Sequence, residues 1–253
     1  MSEAYLIVDS STRYGAVGLW VGGAADGATG GTLVRTQTWF SKNNHTSELL
    51  PAVDGVLSAS GVTPAGLFGI AVASGPGGFS ALRAGLGLVK GLAFATGLPV
   101  IGVSSIEASA YPHRGVGLPI CAVIEAGRGA VAWARFAQDD SWKRRTPDRV
   151  TSLESMLAAK GRHTLFCGEG AGVHADAIRE ALGVRAHVIV EPTPLVRLAG
   201  VAALGVARLQ AGEAESVAAL RPRYLRSPSI TPPKASGVVP TQGARGRKRG
   251  ARV

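Results

Sequence analysis

The chain has 253 residues, 46% of them hydrophobic and 17% charged, with a net charge of +10. That length suits one compact unit of two coupled lobes. No apolar run reaches the roughly 18–20 residues that a membrane-spanning helix needs, which argues against a helical membrane protein. The opening MSEAYLIVDSS carries no basic n-region and its apolar stretch is only a strand long, so no signal peptide is read and a cytoplasmic protein is expected. Cys121 and Cys167 sit in short apolar runs (PICAVI, TLFCG), the setting of buried free thiols, and no Cys/His cluster suggests zinc. The charge is uneven. Residues 227–253 hold Lys234, Arg245, Arg247, Lys248, Arg249 and Arg252 and no acid, leaving +4 for the rest.

In chain order, YLIVD (5–9) reads as a buried strand. GAVGLWVG (15–22) and TLVRTQTWF (32–40) follow as strands across a Gly/Ala/Asp-rich turn. Leu49, Leu50, Val53, Val56 and Leu57 recur at spacings of three and four and predict a helix ending at Gly61. Asn44, Thr46 or Ser47 can cap it, and Pro51 must lie near its first turn or kink it. GIAVAS (69–74) is a strand, GPGGF (75–79) a turn, 80–96 a long helix of small residues, and PVIGVS (99–104) the next strand.

The second half repeats the rhythm. LPICAVIEA (118–126) and AVAWARFA (130–137) are strands, and a third lies near Arg149 and Val150. Residues 152–160 form a helix, TLFCG (164–168) a strand, 172–182 a helix, HVIV (187–190) a strand and 195–211 a helix. Three meandering strands followed by alternating helices and strands imply, in each half, a mixed sheet covered by helices. The predicted fold is therefore α/β: a duplicated ribonuclease-H-like arrangement, as in actin, Hsp70 and sugar kinases. The lobes are expected at 1–104 and 105–226, followed by a basic Pro/Gly-rich tail at 227–253. Pro228, Pro232, Pro233 and Pro240 lie there among Ser, Thr and Gly, a composition that reads as disordered.

Several segments have two readings. GPGGF can cradle a phosphate with bare amides at a helix start, or it is a tight turn that brings helix and strand close. It is neither a Walker loop nor a dinucleotide fingerprint. Asp9, Ser10, Ser11 and Thr12 follow the first strand, where actin-type ATPases place a phosphate loop with a metal-handling Asp. Those loops usually contain glycine, and here none occurs before Gly15; the other reading is a polar turn with Asp9 bonding local amides. In helix 80–96, Ala84, Gly87, Gly91 and Ala95 fall on one bare face. Glycine costs about 1 kcal/mol per helix position relative to Ala, so such a face implies close packing, against either a partner or the protein's own sheet. His45, His113, His163, His174 and His187 are scattered, and no Ser/His/Asp or Cys/His set is evident.

The stretch SGPGGFSALRAGLGLVKGLAFATGLPVIGVSSIE (74–107) resembles the TsaB (YeaZ) family, which carries G-P-G-S-F-T-x-L-R, a K-G-L-A step, then P-x-x-G-V-S-S-x-E. Gly78 replaces the usual serine and Ser80 the threonine. Asp9-Ser10-Ser11-Thr12 is similar to the family's opening Asp-Thr-Ser. His45, Leu49, Leu50 and Pro51 fit its H-S-x-x-L-L-P, and Pro222-Arg223-Tyr224-Leu225-Arg226 its P-x-Y-L-R. The resemblance spans roughly residues 4–226, tightly in the first half. One departure is the second-lobe loop. The family has Asp-Ala-Arg-x-Gly-Glu-Val, whereas this chain has Glu125-Ala126-Gly127-Arg128-Gly129-Ala130-Val131.

The resemblance implies an accessory subunit of bacterial tRNA threonylcarbamoyladenosine biosynthesis. In that system the paralogue TsaD transfers the threonylcarbamoyl group to the adenosine beside the anticodon, a TsaC-type enzyme makes threonylcarbamoyl-adenylate, and the ATPase TsaE cycles the complex. TsaD carries an H-x-x-x-H metal pair, and this chain has Ser105 and Ser109 at those positions. Serine is a poor ligand for a transition metal, so neither catalysis nor a metal is expected here, and no cofactor is required, although the resemblance leaves room for a nucleotide at the partner interface. The expected partners are TsaD in a heterodimer, TsaE, a second copy of the chain when TsaD is absent, and tRNA indirectly. The family pairs through this helix region, so Leu49, Val53, Leu57, Ala84, Gly87 and Gly91 are the expected interface. Two other readings are an active metallopeptidase or ATPase of the same fold, and an RNA-binding accessory protein using its basic tail.

Overall fold

β1 (Glu3–Asp9) is buried from Ala4 onward because it is the central strand of a sheet. It pairs antiparallel with β2 (Tyr14–Gly22) and parallel with β4 (Gly69–Gly75), so both its faces are covered and its sequence is an unbroken apolar run. The computed structural model describes residues 3–22, 30–158, 163–190 and 194–225, and the tail expected at 227–253 lies outside these. The first sheet has the order β3-β2-β1-β4-β5, with β3 (Gly31–Phe40) and β5 (Val100–Ser104) at its edges. β3 carries the polar run Arg35-Thr36-Gln37-Thr38 and is largely exposed, as suits an edge.

The second sheet is built from β6 (Ile120–Glu125), β7 (Ala130–Gln138), β8 (Trp142–Arg144), β9 (Arg149–Ser152), β10 (Thr164–Cys167) and β11 (Ala186–Val188). Its order is β11-β10-β6-β7-β8, with β9 also pairing β7. The central strand β6 is antiparallel to β7 and parallel to β10, the relation that β1 has to β2 and β4. The two sheets thus repeat one arrangement, and the fold is the duplicated ribonuclease-H-like one. The third strand position is split in two here. The sequence marks the strand at Arg149 and Val150, whereas β8 is held by Trp142, which stacks on Phe136 with ring centres 5.1 Å apart.

Helices α1 (His45–Ser58) and α2 (Phe79–Thr96) cover one face of the first sheet. Leu49, Val53, Val56, Leu86 and Val89 meet Leu6, Val17 and Val72 there. Pro51 lies in the second turn of α1, where it removes one donor from the ladder. No side chain caps that helix; Ser47 Oγ instead donates to the Asn44 carbonyl at 3.0 Å. The opposite face of the sheet is covered by α7 (Pro194–Gln210) and α3 (Ser105–Ala110), through Leu198, Val201, Ala202, Val206 and Ala108. α3 has no clear apolar period; it starts because Ser104 Oγ accepts from the Glu107 amide. α7 comes late in the chain yet packs on the first sheet, as do Glu215, which bridges Val100, and Leu220. α4 (Leu153–Ala158), α5 (Glu169–Val173) and α6 (Ala175–Leu182) accompany the second sheet, so the helix expected at 172–182 is two pieces that meet at His174. Cys121 and Cys167 are buried and unbridged, and burial pushes the Cys121 thiol up to about 12, which leaves it unreactive.

Helical glycines separate into two kinds. A Cβ at Gly200 of α7 would overlap the Ala108 carbonyl of α3, whereas a Cβ at Gly87 of α2 meets nothing within 4 Å. Gly200→Ala is expected to cost about 1–3 kcal/mol through overpacking. Gly87→Ala is expected to raise stability by up to about 1 kcal/mol through helix propensity. Urea titrations of the two variants check this; a neutral Gly200→Ala would contradict the packing of α7 on α3.

Candidate functional site

At the end of β1 the chain turns through Ser10, Ser11 and Thr12, and every side chain in the turn has a protein partner. Asp9 Oδ1 accepts from the Ser11 amide at 2.9 Å and from Ser11 Oγ at 2.7 Å. Ser10 Oγ donates to the Ala81 carbonyl in the first turn of α2 at 2.7 Å. Thr12 Oγ1 donates to Glu169 Oε1 of the second lobe at 2.9 Å. Arg197 of α7 closes the cluster. Its Nε donates to Asp9 Oδ2 at 2.5 Å, Nη1 to Glu169 Oε1 at 2.5 Å and Nη2 to Thr12 Oγ1 at 3.0 Å. Asp9 is fully buried and the Arg197 side chain is 4% exposed. Burial works against the Arg197 charge, but the Asp9 and Glu169 carboxylates outweigh it and hold the guanidinium more firmly protonated than usual. His45 is buried beside this turn, and burial pushes its ring below the ordinary histidine range.

Neither Arg197 nor Glu169 follows from motif reading. A signal for Arg197 exists: it shares a helical phase with Leu198, Val201, Ala202 and Gly205, which are all buried. A cation on an apolar helix face needs a buried counter-charge.

The turn 75–79 packs directly on this loop. The Gly78 amide donates to the Ser11 carbonyl at 2.8 Å, and a Cβ at Gly77 would overlap that same carbonyl. Only glycine permits so close a backbone approach. Gly85 of α2 faces inward in the same way, over Ser10. A metal-bound nucleotide of the kind that actin-type folds hold after the first strand does not fit these residues. The Asp9 carboxylate is committed to Arg197 and Ser11, the loop has no glycine to bring amides to a phosphate, and the Ser11 backbone is pressed against Gly77.

The quoted motifs nevertheless converge. On the other side of the 75–79 turn a cavity of about 390 Å³ lies between the lobes, lined by Gly78, Phe79, Glu125, Gly127, Arg223 and Tyr224 among others. Phe79 and Tyr224 have ring centres 4.9 Å apart. Arg83 lies over Phe79 at 3.7 Å, and its Nε donates to Tyr224 Oη at 3.1 Å. Arg223 is fixed by its amide to the Ser74 carbonyl at 2.7 Å and by Nη2 to Asp148 Oδ2 at 3.3 Å. Glu125 pairs with His174 Nε2 at 2.9 Å. Arg223 and Tyr224 are thereby fastened to β4 and to the first turns of α2.

Ser105 and Ser109 lie inside the protein. Ser105 is fully buried with its Oγ unpaired, and Ser109 Oγ donates to the Ser105 carbonyl at 2.8 Å. Cys167 Sγ packs on the Ser109 carbonyl at 3.4 Å. Two neutral hydroxyls enclosed by core atoms offer neither the charge nor the open position that a catalytic metal needs.

The outer surface of α1 and α2 is the remaining candidate, and it corrects three of the residues expected there. Leu49, Val53 and Leu57 are 1%, 2% and 3% exposed and belong to the core under α1. Their helical period marks the face turned to the protein's own sheet, and periodicity alone does not distinguish that from a partner-facing stripe. The exposed apolar residues are Leu50 of α1, at 55%, and Phe94 of α2, at 87%. Ala84 is partly buried, while Gly87 and Gly91 are exposed, with open space where a side chain would stand. α1 and α2 lie side by side, so Leu50, Gly87, Gly91 and Phe94 belong to one helical layer whose outer side no described residue covers.

Comparison with known proteins agrees with this architecture. The profile of the TsaD family, described as tRNA N6-adenosine threonylcarbamoyltransferase, matches residues 39–234. The Bacillus subtilis tRNA threonylcarbamoyladenosine biosynthesis protein TsaB is 30% identical over 199 residues, 77% of this chain and 85% of that protein. A tRNA N6-adenosine threonylcarbamoyltransferase of Anaeromyxobacter dehalogenans is 45% identical over 68 residues, 27% of this chain and 20% of that protein. The structure of YeaZ from Pseudomonas aeruginosa superimposes with a TM-score of 0.69 at 25% identity, covering 88% of this chain and all of YeaZ. The chain therefore belongs to the TsaB (YeaZ) family, within the wider group that includes the TsaD transferases.

Proposed function

We propose that this protein is the non-catalytic partner of TsaD in threonylcarbamoylation of the adenosine next to the tRNA anticodon, and that it pairs through the outer side of α1 and α2. The observation that carries the reading is the contrast between two places. The positions where TsaD has its metal pair hold the enclosed serines Ser105 and Ser109, while the α1–α2 layer leaves Phe94 and Leu50 exposed beside the bare helix surface at Gly87 and Gly91. Exposed aromatic and aliphatic side chains next to bare backbone suit close helix–helix docking, with Phe94 and Leu50 as anchors. TsaD shares the architecture, so its corresponding helices can meet these across a pseudo-twofold axis, and a second copy of this chain can take the same place when TsaD is absent. TsaE acts on the assembled complex, tRNA reaches this subunit through TsaD, and any nucleotide lies at the interface with TsaD. No cofactor is required by this chain itself.

Phe94→Asp and Leu50→Asp are expected to weaken pairing with TsaD roughly tenfold or more, equivalent to about 1.4 kcal/mol or above, with the melting temperature of the isolated chain nearly unchanged. Leu49→Ala should do the reverse, costing about 2–5 kcal/mol of stability with little effect on pairing of the folded fraction. Calorimetric titration and thermal melts on the same samples separate these outcomes, and normal pairing by both aspartate variants would overturn the interface. A second expectation concerns chemistry. The isolated protein, incubated with tRNA, threonylcarbamoyl-adenylate and divalent metals, forms no threonylcarbamoyladenosine, whereas addition of TsaD gives product. Modification by the isolated chain, followed by mass spectrometry of digested tRNA, would contradict the non-catalytic role.

A further inference from the structure

We infer that Arg197 is a resident cation of the inter-lobe cleft: it takes the place beside Asp9 that actin-type folds give to a metal-bound nucleotide, and it fastens the two lobes together. The three charged groups come from separate parts of the chain. Asp9 ends the central strand of the first sheet, Glu169 opens α5 after β10 in the second lobe, and Arg197 lies on α7, which packs on the first sheet. Nothing local in the sequence requires them to meet, yet all three nitrogens of the guanidinium are used, one on Asp9, one on Glu169 and one on Thr12.

Charge decides what the cleft can hold. Asp9 and Glu169 together bring two negative charges to an enclosed site, and a buried carboxylate is retained only beside a cation or several donors. In a nucleotide-binding relative of this fold a divalent cation supplies that charge and the nucleotide phosphates bind it in turn. Here the guanidinium supplies it from within the chain. A planar fork that bonds both carboxylates and a hydroxyl already supplies the positive charge that a divalent ion would bring between Asp9 and Glu169. The position of Glu169 is set by Gly168, whose φ of +85° and close approach to the Val123 carbonyl place α5 against β6. Arg197 and Thr12 both bond Glu169, so the network spans the lobes directly. In nucleotide-dependent members of such a fold the lobes close on the ligand; in this chain the closure contact is internal and permanent. This inference concerns the cleft alone and stands or falls separately from pairing through α1 and α2.

The test uses the full-length protein and thermal melts with and without millimolar magnesium, manganese and magnesium-ATP, on the wild type, Arg197→Met, Asp9→Asn and the double variant. The wild-type melting temperature is expected to ignore all three additions. Arg197→Met should melt lower and gain a response to magnesium or manganese, as a divalent ion enters between the freed carboxylates; the double variant, lacking the Asp9 charge, should lose that response and recover part of the stability. Three results would overturn the inference: a rise in wild-type melting temperature with magnesium-ATP, an Arg197→Met variant that ignores divalent cations, or additive effects at positions 9 and 197. If Arg197→Met does not fold without metal, refolding yield becomes the readout. Folding of the double variant alone then demonstrates the coupling, and equal loss in both variants refutes it.

Discussion

A guanidinium removed from water is tolerated only where its nitrogens find acceptors and its charge is matched, and much of the arrangement of this molecule follows from meeting that condition at Arg197. Asp9, Thr12 and Glu169 supply the acceptors from both lobes. To reach them, α7 must cross the first sheet, and it can do so closely because Gly200 and Gly205 leave no side chain between it and α3 or Ala71. The consequence is a first lobe made from both ends of the described chain, with β1 at its centre and α7 and Leu220 closing over it. Buried ion pairs contribute little net stability against an apolar alternative, but removal of one partner strands a buried charge. The network inferred above would act chiefly by specifying one arrangement of lobes over others.

With α7 on one face of the first sheet, α1 and α2 are the covering layer on the other, and their outer side carries a local conflict. Gly87 and Gly91 cost about 1 kcal/mol each relative to Ala in an exposed helix, and among the described residues no contact offsets this, since none stands within 4 Å of a Cβ at either position. Phe94 adds a large aromatic side chain that is almost wholly exposed. Conflicts between local preference and structure mark functional places, and the helix pairing proposed above would resolve both at once. The same helix uses its inner glycine, Gly85, to admit Ser10 and so connect the proposed partner surface to the Asp9 turn.

Much of this was legible in the residues. Apolar runs located most of the strands and the recurrence of element order identified the duplicated fold; the glycines of α2 left open a partner or the protein's own sheet, and Gly87 and Gly91 do not face that sheet. What escaped has specific causes. Leu49, Val53 and Leu57 carry the helical period of α1, but a period reports that a face is buried and not what buries it; Leu50 falls within the same spacings, yet it lies at the edge of that face and is exposed. β8 and α3 are too short to show a period, being set by the Trp142–Phe136 stack and the Ser104 cap. The Arg197 network joins residues 188 positions apart, a separation that no local pattern encodes, although a lone arginine on an apolar helix face was the visible trace of it.

The most direct measurement of the central claim, that this subunit works by presenting α1 and α2 to a related partner, is amide hydrogen exchange of the full-length chain alone and mixed with TsaD. Complex formation should slow exchange in residues 45–58 and 79–96, with the outer face of α2 around Gly87 and Gly91 most affected, while β3, β8 and the turn 9–12 exchange as before. Protection confined to the inter-lobe cleft or to the β3 edge, with α1 and α2 unchanged, would contradict the account.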